Sequence, residues 1–227
     1  PTSRDVVEIC GDSGSGKSEL AMHIAVSCML PKWLGGSEGS VIWFDSENRL
    51  CAERLVQMLS ARALDFVQGN QANVAVSGAS SLTSAVEAAV EKCVRDKMTV
   101  FRCTSSSQVL SALHSFTKKE LERCNVKLLV FDSIASFYWR DLETEPVTAG
   151  LHIHVPMAIH ELIARYPVSV VATKPAFLQP RGPCACPEFL SQTWHDLVSL
   201  RLFAESSSHT RGQFYLRMLD NGQLIFS

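Results

Sequence analysis

Val6-Val7-Glu8-Ile9-Cys10 runs directly into Gly11-Asp12-Ser13-Gly14-Ser15-Gly16-Lys17-Ser18. An apolar strand that ends in G-x-x-x-x-G-K-[ST] is the Walker A pattern of a phosphate-binding loop. Its glycines let the backbone turn its N–H groups toward an anion, and they let a phosphate approach without meeting a Cβ atom. The lysine supplies a charge to the β- and γ-phosphates, and the serine hydroxyl supplies a Mg²⁺ ligand. The residues predicted to bind the nucleotide are Gly11, Asp12, Ser13, Gly14, Ser15, Gly16, Lys17 and Ser18.

The segment after this loop supports the same interpretation. Glu19–Leu30 is rich in apolar residues and is predicted to be a helix, which Pro31 ends. The N-terminus of that helix would favour the same phosphates. The alternative is a Gly/Ser turn that happens to precede a lysine, and the strand before the loop and the helix after it argue against this.

Composition predicts a single α/β domain over residues 1–227. Hydrophobic residues make up 46% of the chain and charged residues 19%, as in a globular protein. The formal net charge is −2, and no run of Lys or Arg predicts a strong non-specific grip on nucleic acid. No signal peptide or membrane-length apolar stretch is present, so no membrane partner is expected, and the expected compartment is the nucleus or the cytoplasm.

The chain contains eight cysteines, but most of them lie within apolar runs. Reduced thiols are therefore favoured over a disulfide framework. Cys184 and Cys186 lack a second pair of ligands at zinc-like spacing, and His152, His154 and His160 lack a carboxylate-rich partner. Metal binding by either set is disfavoured.

Buried parallel strands and amphipathic helices alternate along most of the chain. Continuous apolar runs predict strands at 41–44, 127–131 and 168–173, with 41–44 suited to burial on both faces, and 99–101 is predicted to be a short strand. Helical spacing predicts helices at 51–64, 82–93 and 105–116 and near 159–166, with Pro156 near the start of the last. The remaining long segments, 138–150 and 174–191, show no periodicity and are predicted to be irregular.

The last part of the chain changes character. Segments 199–203, 213–218 and 224–226 alternate apolar and polar residues between turns, including Asn221-Gly222, and predict antiparallel edge strands. This order favours a P-loop fold with a mostly parallel twisted sheet, helices on both faces and antiparallel C-terminal strands. A nucleoside kinase would instead be expected to close with helices and an arginine-rich lid.

A second motif lies at Lys127–Asp132, where four apolar residues end in an aspartate. An aspartate at this place after a sound Walker A loop is typical of Walker B, which helps to hold Mg²⁺. The sequence therefore predicts that Ser18 and Asp132 share a magnesium ion.

These residues resemble the RecA-like recombinase family, and specifically its eukaryotic strand-exchange paralogues. The resemblance rests on Walker A, on Phe44-Asp45-Ser46-Glu47 with Glu53-Arg54-Leu55, on Asp132–Tyr138, and on the strand 168–173 with the long loop after it. It implies a RecA-like core that binds ATP and Mg²⁺, with two DNA-binding loops that start near Tyr138 and after Thr173. It also implies that Glu47 orients the attacking water, whereas spacing alone favours Glu47 as a helix cap.

Several departures from the family pattern affect the functional interpretation. Lys174-Pro175 stands where the family has Asn-Gln, whose glutamine senses the γ-phosphate, and proline has no amide side chain. The first loop has Arg140 against Asp141, Glu143 and Glu145, and the second has only Lys174 and Arg181. No Phe-x-x-Ala segment occurs, and no N-terminal helical DNA-binding domain is expected before the core.

The resemblance and these departures together predict a nuclear, nucleotide-binding recombinase paralogue. It would be a subunit of a hetero-oligomeric homologous-recombination complex with another recombinase paralogue. That complex would assist recombinase filaments on single-stranded DNA, which this chain would contact weakly or through the complex, and ATP turnover would be weak or secondary. The alternatives are a self-sufficient DNA-dependent ATPase that exchanges strands and, less favoured, a P-loop small-molecule kinase.

Overall fold

The computed structural model describes residues 4–69, 79–116, 118–144, 151–176, 189–207, 214–220 and 223–224. Its strands are β1 Val6–Gly11, β2 Ser40–Asp45, β3 Met98–Phe101, β4 Val126–Asp132, β5 Ser169–Pro175, β6 Leu200–Ser206, β7 Phe214–Asp220 and β8 Gln223–Leu224. Its helices are α1 Lys17–Met29, α2 Ala52–Gly69, α3 Ala79–Lys97, α4 Ser106–Ser115, α5 Lys118–Arg123, α6 Tyr138–Thr144, α7 Leu151–Arg165 and α8 Gln192–Leu197. A short 3₁₀ helix, Lys32–Leu34, follows α1.

The strands form one eight-stranded sheet in the order β3-β2-β4-β5-β1-β6-β7-β8. The strands from β3 to β6 in this order are parallel, and β7 and β8 are antiparallel additions. The predicted α/β class, with a mostly parallel sheet and antiparallel C-terminal strands, is confirmed. The expectation was wrong in one respect: β6 is parallel to β1, because its apolar residues continue the buried sheet rather than forming a separate meander.

The continuous apolar runs are explained by helices on both faces of the sheet. Trp43 and Val130 pack with α1, α2 and α3 on one face. Phe44 and Phe131, their chain neighbours, pack with α4, α5, α7 and α8 on the other face, where their stacked rings are 4.6 Å apart. Since successive strand residues point to opposite faces, a strand covered on both sides needs apolar residues at every position.

Two segments differ from the sequence prediction. Residues 138–144 were expected to be irregular but form α6, because Asp141 is buried and its Oδ2 accepts a 2.5 Å hydrogen bond from Ser106 Oγ of α4. Helix α7 begins at Leu151, so Pro156 lies inside it rather than near its start. Val155 and Ile159 are both buried, so the apolar stripe extends upstream of the proline.

The cap of α4 and the character of the helices can be compared with the sequence predictions, whereas some other predicted features lie outside the described residues. The helix predicted at 105–116 is α4, and Ser105 caps it, with its Oγ accepting from the Gln108 N–H at 3.3 Å. Several predicted features lie outside the described residues: Glu145, Arg181, Cys184, Cys186, the Asn221-Gly222 turn and the side chain of His152. Within the described part of the chain, every helix is too short or too polar to cross a bilayer.

A buried ionic cluster joins three strands next to the Walker A loop. Glu8 of β1 is fully buried, and its Oε1 lies 3.1 Å from Lys174 Nζ of β5 and 3.4 Å from Arg201 Nε of β6. The indole Nε1–H of Trp194 in α8 donates to Glu8 Oε2 at 2.6 Å. The Glu8 carboxylate therefore interacts with two cations and an indole. Removing this carboxylate would leave two positive charges without their shared counter-charge.

We expect Glu8→Ala to lower the free energy of unfolding by about 3–5 kcal/mol, because two cations then lack their buried counter-charge. Urea titration followed by circular dichroism measures this change. As a matched control, Glu161→Ala removes the partner of the exposed Arg165 and should change stability by less than about 1 kcal/mol. Equal effects of the two substitutions would contradict a structural role for the cluster.

Candidate nucleotide-binding site

The Walker A loop connects β1 to α1 at the carboxyl edge of the sheet. Gly16 caps α1 with a left-handed backbone, φ 84°, which favours glycine, and no side chain caps this helix. Lys17 Nζ donates to the carbonyl oxygens of Gly11 at 2.8 Å and Asp12 at 2.6 Å. The loop thus holds its lysine beside the uncapped N-terminus of α1. Free backbone N–H groups at a helix N-terminus are suited to binding an anion.

Asp132 lies beside this loop at the end of β4. Its Oδ1 accepts a hydrogen bond from Ser18 Oγ at 3.1 Å and another from Thr173 Oγ1 at 2.5 Å. Thr173 is buried near the end of β5, and Asp132 is almost buried. Ser18 and Asp132 are 114 positions apart in sequence, and the parallel order of β4, β5 and β1 brings them together.

The donor set fits a magnesium–nucleotide. Mg²⁺ prefers oxygen ligands, and the adjacent hydroxyl of Ser18 and carboxylate of Asp132 offer two. The uncapped N-terminus of α1 and the Lys17 ammonium suit the phosphates that would supply further oxygens. Bound Mg²⁺ would neutralise phosphate charge, and Ser18 and Asp132 would hold it.

The charge state of Lys17 reflects two opposing effects. Burial of the ammonium lowers its pKa below the usual value. The nearby carboxylates, chiefly those of Asp132 and Asp12 and to a smaller extent that of Glu47, raise it. The residues predicted to act on the phosphates therefore already interact electrostatically with one another.

Glu47 is part of the same edge of the sheet but is more exposed. Its Oε1 lies 3.5 Å from Ser136 Oγ, and its Oε2 lies 3.1 Å from Arg49 Nε. The turn that carries it is fixed by Asp45, whose buried carboxylate accepts the N–H groups of Arg49 and Leu50 at 2.9 and 3.2 Å. A carboxylate held at the rim of the site is of the kind that can orient a water molecule.

The structure corrects the role expected for Lys174. From sequence, Lys174 is predicted to be a basic residue of the second loop, but its side chain is 1% exposed and pairs with Glu8. It also lies beneath the ring of Phe189, with Nζ 5.5 Å from the ring centroid. Pro175 continues β5 beside Gly11, and the Ala176 N–H donates to the Gly11 carbonyl oxygen at 3.0 Å. Lys174 is therefore a core cation that joins strands.

Three aromatic rings cluster near the start of the predicted first loop. Tyr138 and Trp139 are in edge contact at 5.0 Å, and the Trp139 ring stacks on that of Phe189 at 6.0 Å. Trp139 remains 53% exposed. Arg140 donates to the Thr104 carbonyl oxygen, with its guanidinium 4.9 Å from the Phe137 ring centroid. This cluster had no counterpart in the sequence prediction.

Two contributors to the site were missed from sequence. Thr173 was assigned only to a strand, and Asp45 only to the end of one, although both hold key atoms in place. The available signal was a polar residue at the carboxyl end of a buried parallel strand. Elsewhere among the described residues, no group of three or more His, Cys, Asp or Glu side chains is placed to hold a metal.

Comparison with known proteins finds a family match and several relatives of this sequence. Residues 2–100, which include Walker A and Glu47, match the Rad51 family. The chain is 27% identical to mouse DNA repair protein XRCC2 over 79% of this chain and 59% of the mouse protein. It is 30% identical to the Arabidopsis thaliana XRCC2 homolog over 70% of this chain and 48% of that protein. It is 25% identical to human DNA repair protein RAD51 homolog 2, over 62% of this chain and 32% of the human protein.

The chain spans about half the length of the first curated relatives that it matches. Within the family, the sequence alone favoured similarity to the short paralogue called X-ray repair cross-complementing protein two, and the XRCC2 matches confirm that similarity. The matched motifs, the strand order and the relatives agree: residues 2–100 match the Rad51 family, and the chain is similar to RecA-like recombinase paralogues.

Proposed function

We propose that this chain is a nucleotide-binding recombinase paralogue that acts within a hetero-oligomeric DNA-repair complex. Its place is the nucleus, and its main role is assembly with another recombinase paralogue, with ATP turnover secondary. The observation that carries the proposal is the juxtaposition of Lys17, Ser18 and Asp132 at the carboxyl edge of the sheet. The relatives XRCC2 and RAD51 homolog 2 are described as DNA repair proteins, which supports a repair role for this chain.

The position of Lys174 supports the order of these roles. The family has a γ-phosphate-sensing amide in this region, whereas here the strand end carries a buried lysine bound to Glu8 and a proline paired with Gly11. Breaking a buried ion pair costs several kcal/mol of free energy. The end of β5 should therefore change position little when a nucleotide binds. A subunit that binds the nucleotide but changes little in conformation on binding it is suited to stabilising an assembly.

An exposed apolar strand supports a protein partner. On β7, Tyr215, Leu216 and Met218 are each about half exposed, at 52%, 49% and 52%. Large apolar side chains grouped on one exposed strand are typical of interaction surfaces. The strand lies near one edge of the sheet, next to the two-residue β8.

The aromatic cluster supports contact with single-stranded DNA. Trp139 presents an exposed ring, and Arg140 follows it directly. Aromatic rings bind single strands through base stacking, which needs no particular sequence. Asp141 is buried against Ser106, so this acid is withdrawn from the exposed part of the segment.

The first test is Lys17→Ala. Loss of the ammonium should weaken ATP binding about 10- to 100-fold, because contacts to charged groups contribute about 1.5–3 kcal/mol. Binding of the partner paralogue should remain largely intact in a pull-down, since the Lys17 ammonium is directed into the loop, where it donates to the Gly11 and Asp12 carbonyl oxygens. Lys92→Ala, on the exposed face of α3, is the matched control and should change neither measurement. Collapse of partner binding in Lys17→Ala would make the nucleotide the assembly element and reverse the proposed order of roles.

The second test is Asp132→Asn. The amide oxygen can still accept from Ser18 and Thr173, so the fold should persist, but the charge that would hold Mg²⁺ is lost. We expect the gain in ATP affinity from added Mg²⁺, measured by calorimetry with and without EDTA, to fall at least about tenfold. Asp65→Asn on the exposed face of α2 should retain the full gain. An unchanged magnesium effect in Asp132→Asn would remove Asp132 from the site.

The third test is Trp139→Ala. Loss of one stacking ring should weaken binding of the assembled complex to fluorescent oligo(dT) at least about fivefold, as measured by anisotropy. Trp33→Ala removes a similarly exposed indole, 50% against 53%, from the short 3₁₀ helix and should have no effect. The stacking role is wrong if the two substitutions behave alike.

Sedimentation with ATP and single-stranded DNA tests the main alternative function. Filaments formed by this chain alone would indicate a self-sufficient recombinase.

A further inference from the structure

The first residue of β7 lies beside the Walker A loop. In the sheet, Gly11 is opposite Ala204 of β6, and Ala204 is opposite Leu216 of β7. A Cβ atom on Gly11 would lie only 2.3 Å from the Ala204 carbonyl oxygen, so β6 passes very close to the loop. Phe214 is two residues from Leu216, opposite Ser206, at the loop end of this strand pair.

The flat face of the Phe214 ring is directed toward Gly16. A Cβ atom on Gly16 would lie 2.9, 3.0 and 3.1 Å from the ring atoms Cδ1, Cγ and Cε1. Three consecutive ring carbons at nearly equal distances indicate that the glycine lies over the flat side of the ring, because a contact at the ring edge would be close to one carbon only. The absence of a side chain at Gly16 is what allows this approach.

Phe214 is nevertheless 45% exposed. It is therefore an aromatic ring that contacts the phosphate loop on one side and meets solvent on another. Tyr215, the next residue, is 52% exposed, and its side chain leaves the strand on the opposite face.

We propose that Phe214 is the aromatic wall against which the base of a bound nucleotide packs. The inference rests on the proposed nucleotide binding at Lys17 and extends it to the part of the ligand that the loop does not hold. A nucleoside triphosphate anchored at the N-terminus of α1 must place its base outside the polar loop, and Phe214 offers an exposed ring that touches this loop. Stacking uses the flat face that every base has, so the site should accept adenine and guanine nucleotides alike.

In this proposal, different residues contribute the binding free energy of the base and that of the phosphates. Lys17 and the amides of the loop recognise the phosphate chain, and they do so with any polyphosphate. Phe214 recognises only a ligand that carries a base. Inorganic tripolyphosphate and ATP, each with Mg²⁺, therefore distinguish the two contributions.

Titration calorimetry on the full chain with each of these ligands tests the proposal. Phe214→Ala should weaken ATP and GTP at least about fivefold and leave tripolyphosphate unchanged. Phe214→Trp should retain ATP binding, and its added indole emission should be quenched by ATP but not by tripolyphosphate. Met157→Ala removes an equally exposed apolar side chain, 45%, from α7 and should behave as wild type with every ligand.

Two results would overturn the inference while leaving nucleotide binding intact. One is ATP binding by Phe214→Ala with wild-type affinity. The other is an equal loss of ATP and tripolyphosphate, which would show that the ring only supports the loop backbone. A wild-type chain that binds neither ligand would instead overturn the nucleotide site itself and this inference with it.

Discussion

The carboxylate of Asp132 is the point on which the site depends. It accepts one hydroxyl from α1 and one from β5, so a single oxygen fixes the helix after the phosphate loop relative to two strands of the sheet. The residues involved come from three distant parts of the chain, and only the parallel order β4-β5-β1 makes them neighbours. The loop geometry is local, whereas the metal-binding geometry is a property of the assembled sheet.

Much of the fold could be predicted because its signals are local or periodic. Walker A is a contiguous motif, and the uninterrupted apolar runs around Trp43 and Val130 are what a sheet covered on both faces requires. The prediction failed where a tertiary contact overrides local pattern. Helix α6 has no clear periodicity of its own and is held by Asp141 beneath α4, and the direction of β6 is decided by its pairing with β1.

The site shows the same division between local and tertiary information. The loop residues and Asp132 are recognisable from spacing, but Thr173 and Asp45 act through contacts that only the assembled strands create. Lys174 shows how a charge can mislead. In the sequence it adds to the basic residues of a loop, while in the structure it is neutralised within the core by Glu8. Charge counted along a chain is informative about binding only when burial is known.

The buried charges also decide which acids a ligand can touch at the surface. Among the described residues, Glu8, Asp45, Asp132 and Asp141 are buried, against Lys174 as the buried cation. Folding therefore withdraws more acid than base from direct contact with solvent, although the buried groups still count toward the formal net charge of −2. A polyanion at a distance still meets the whole net charge, but at contact it meets only the side chains that reach the surface. Close repulsion of a charged polymer is accordingly weaker than the number of acids in the sequence indicates.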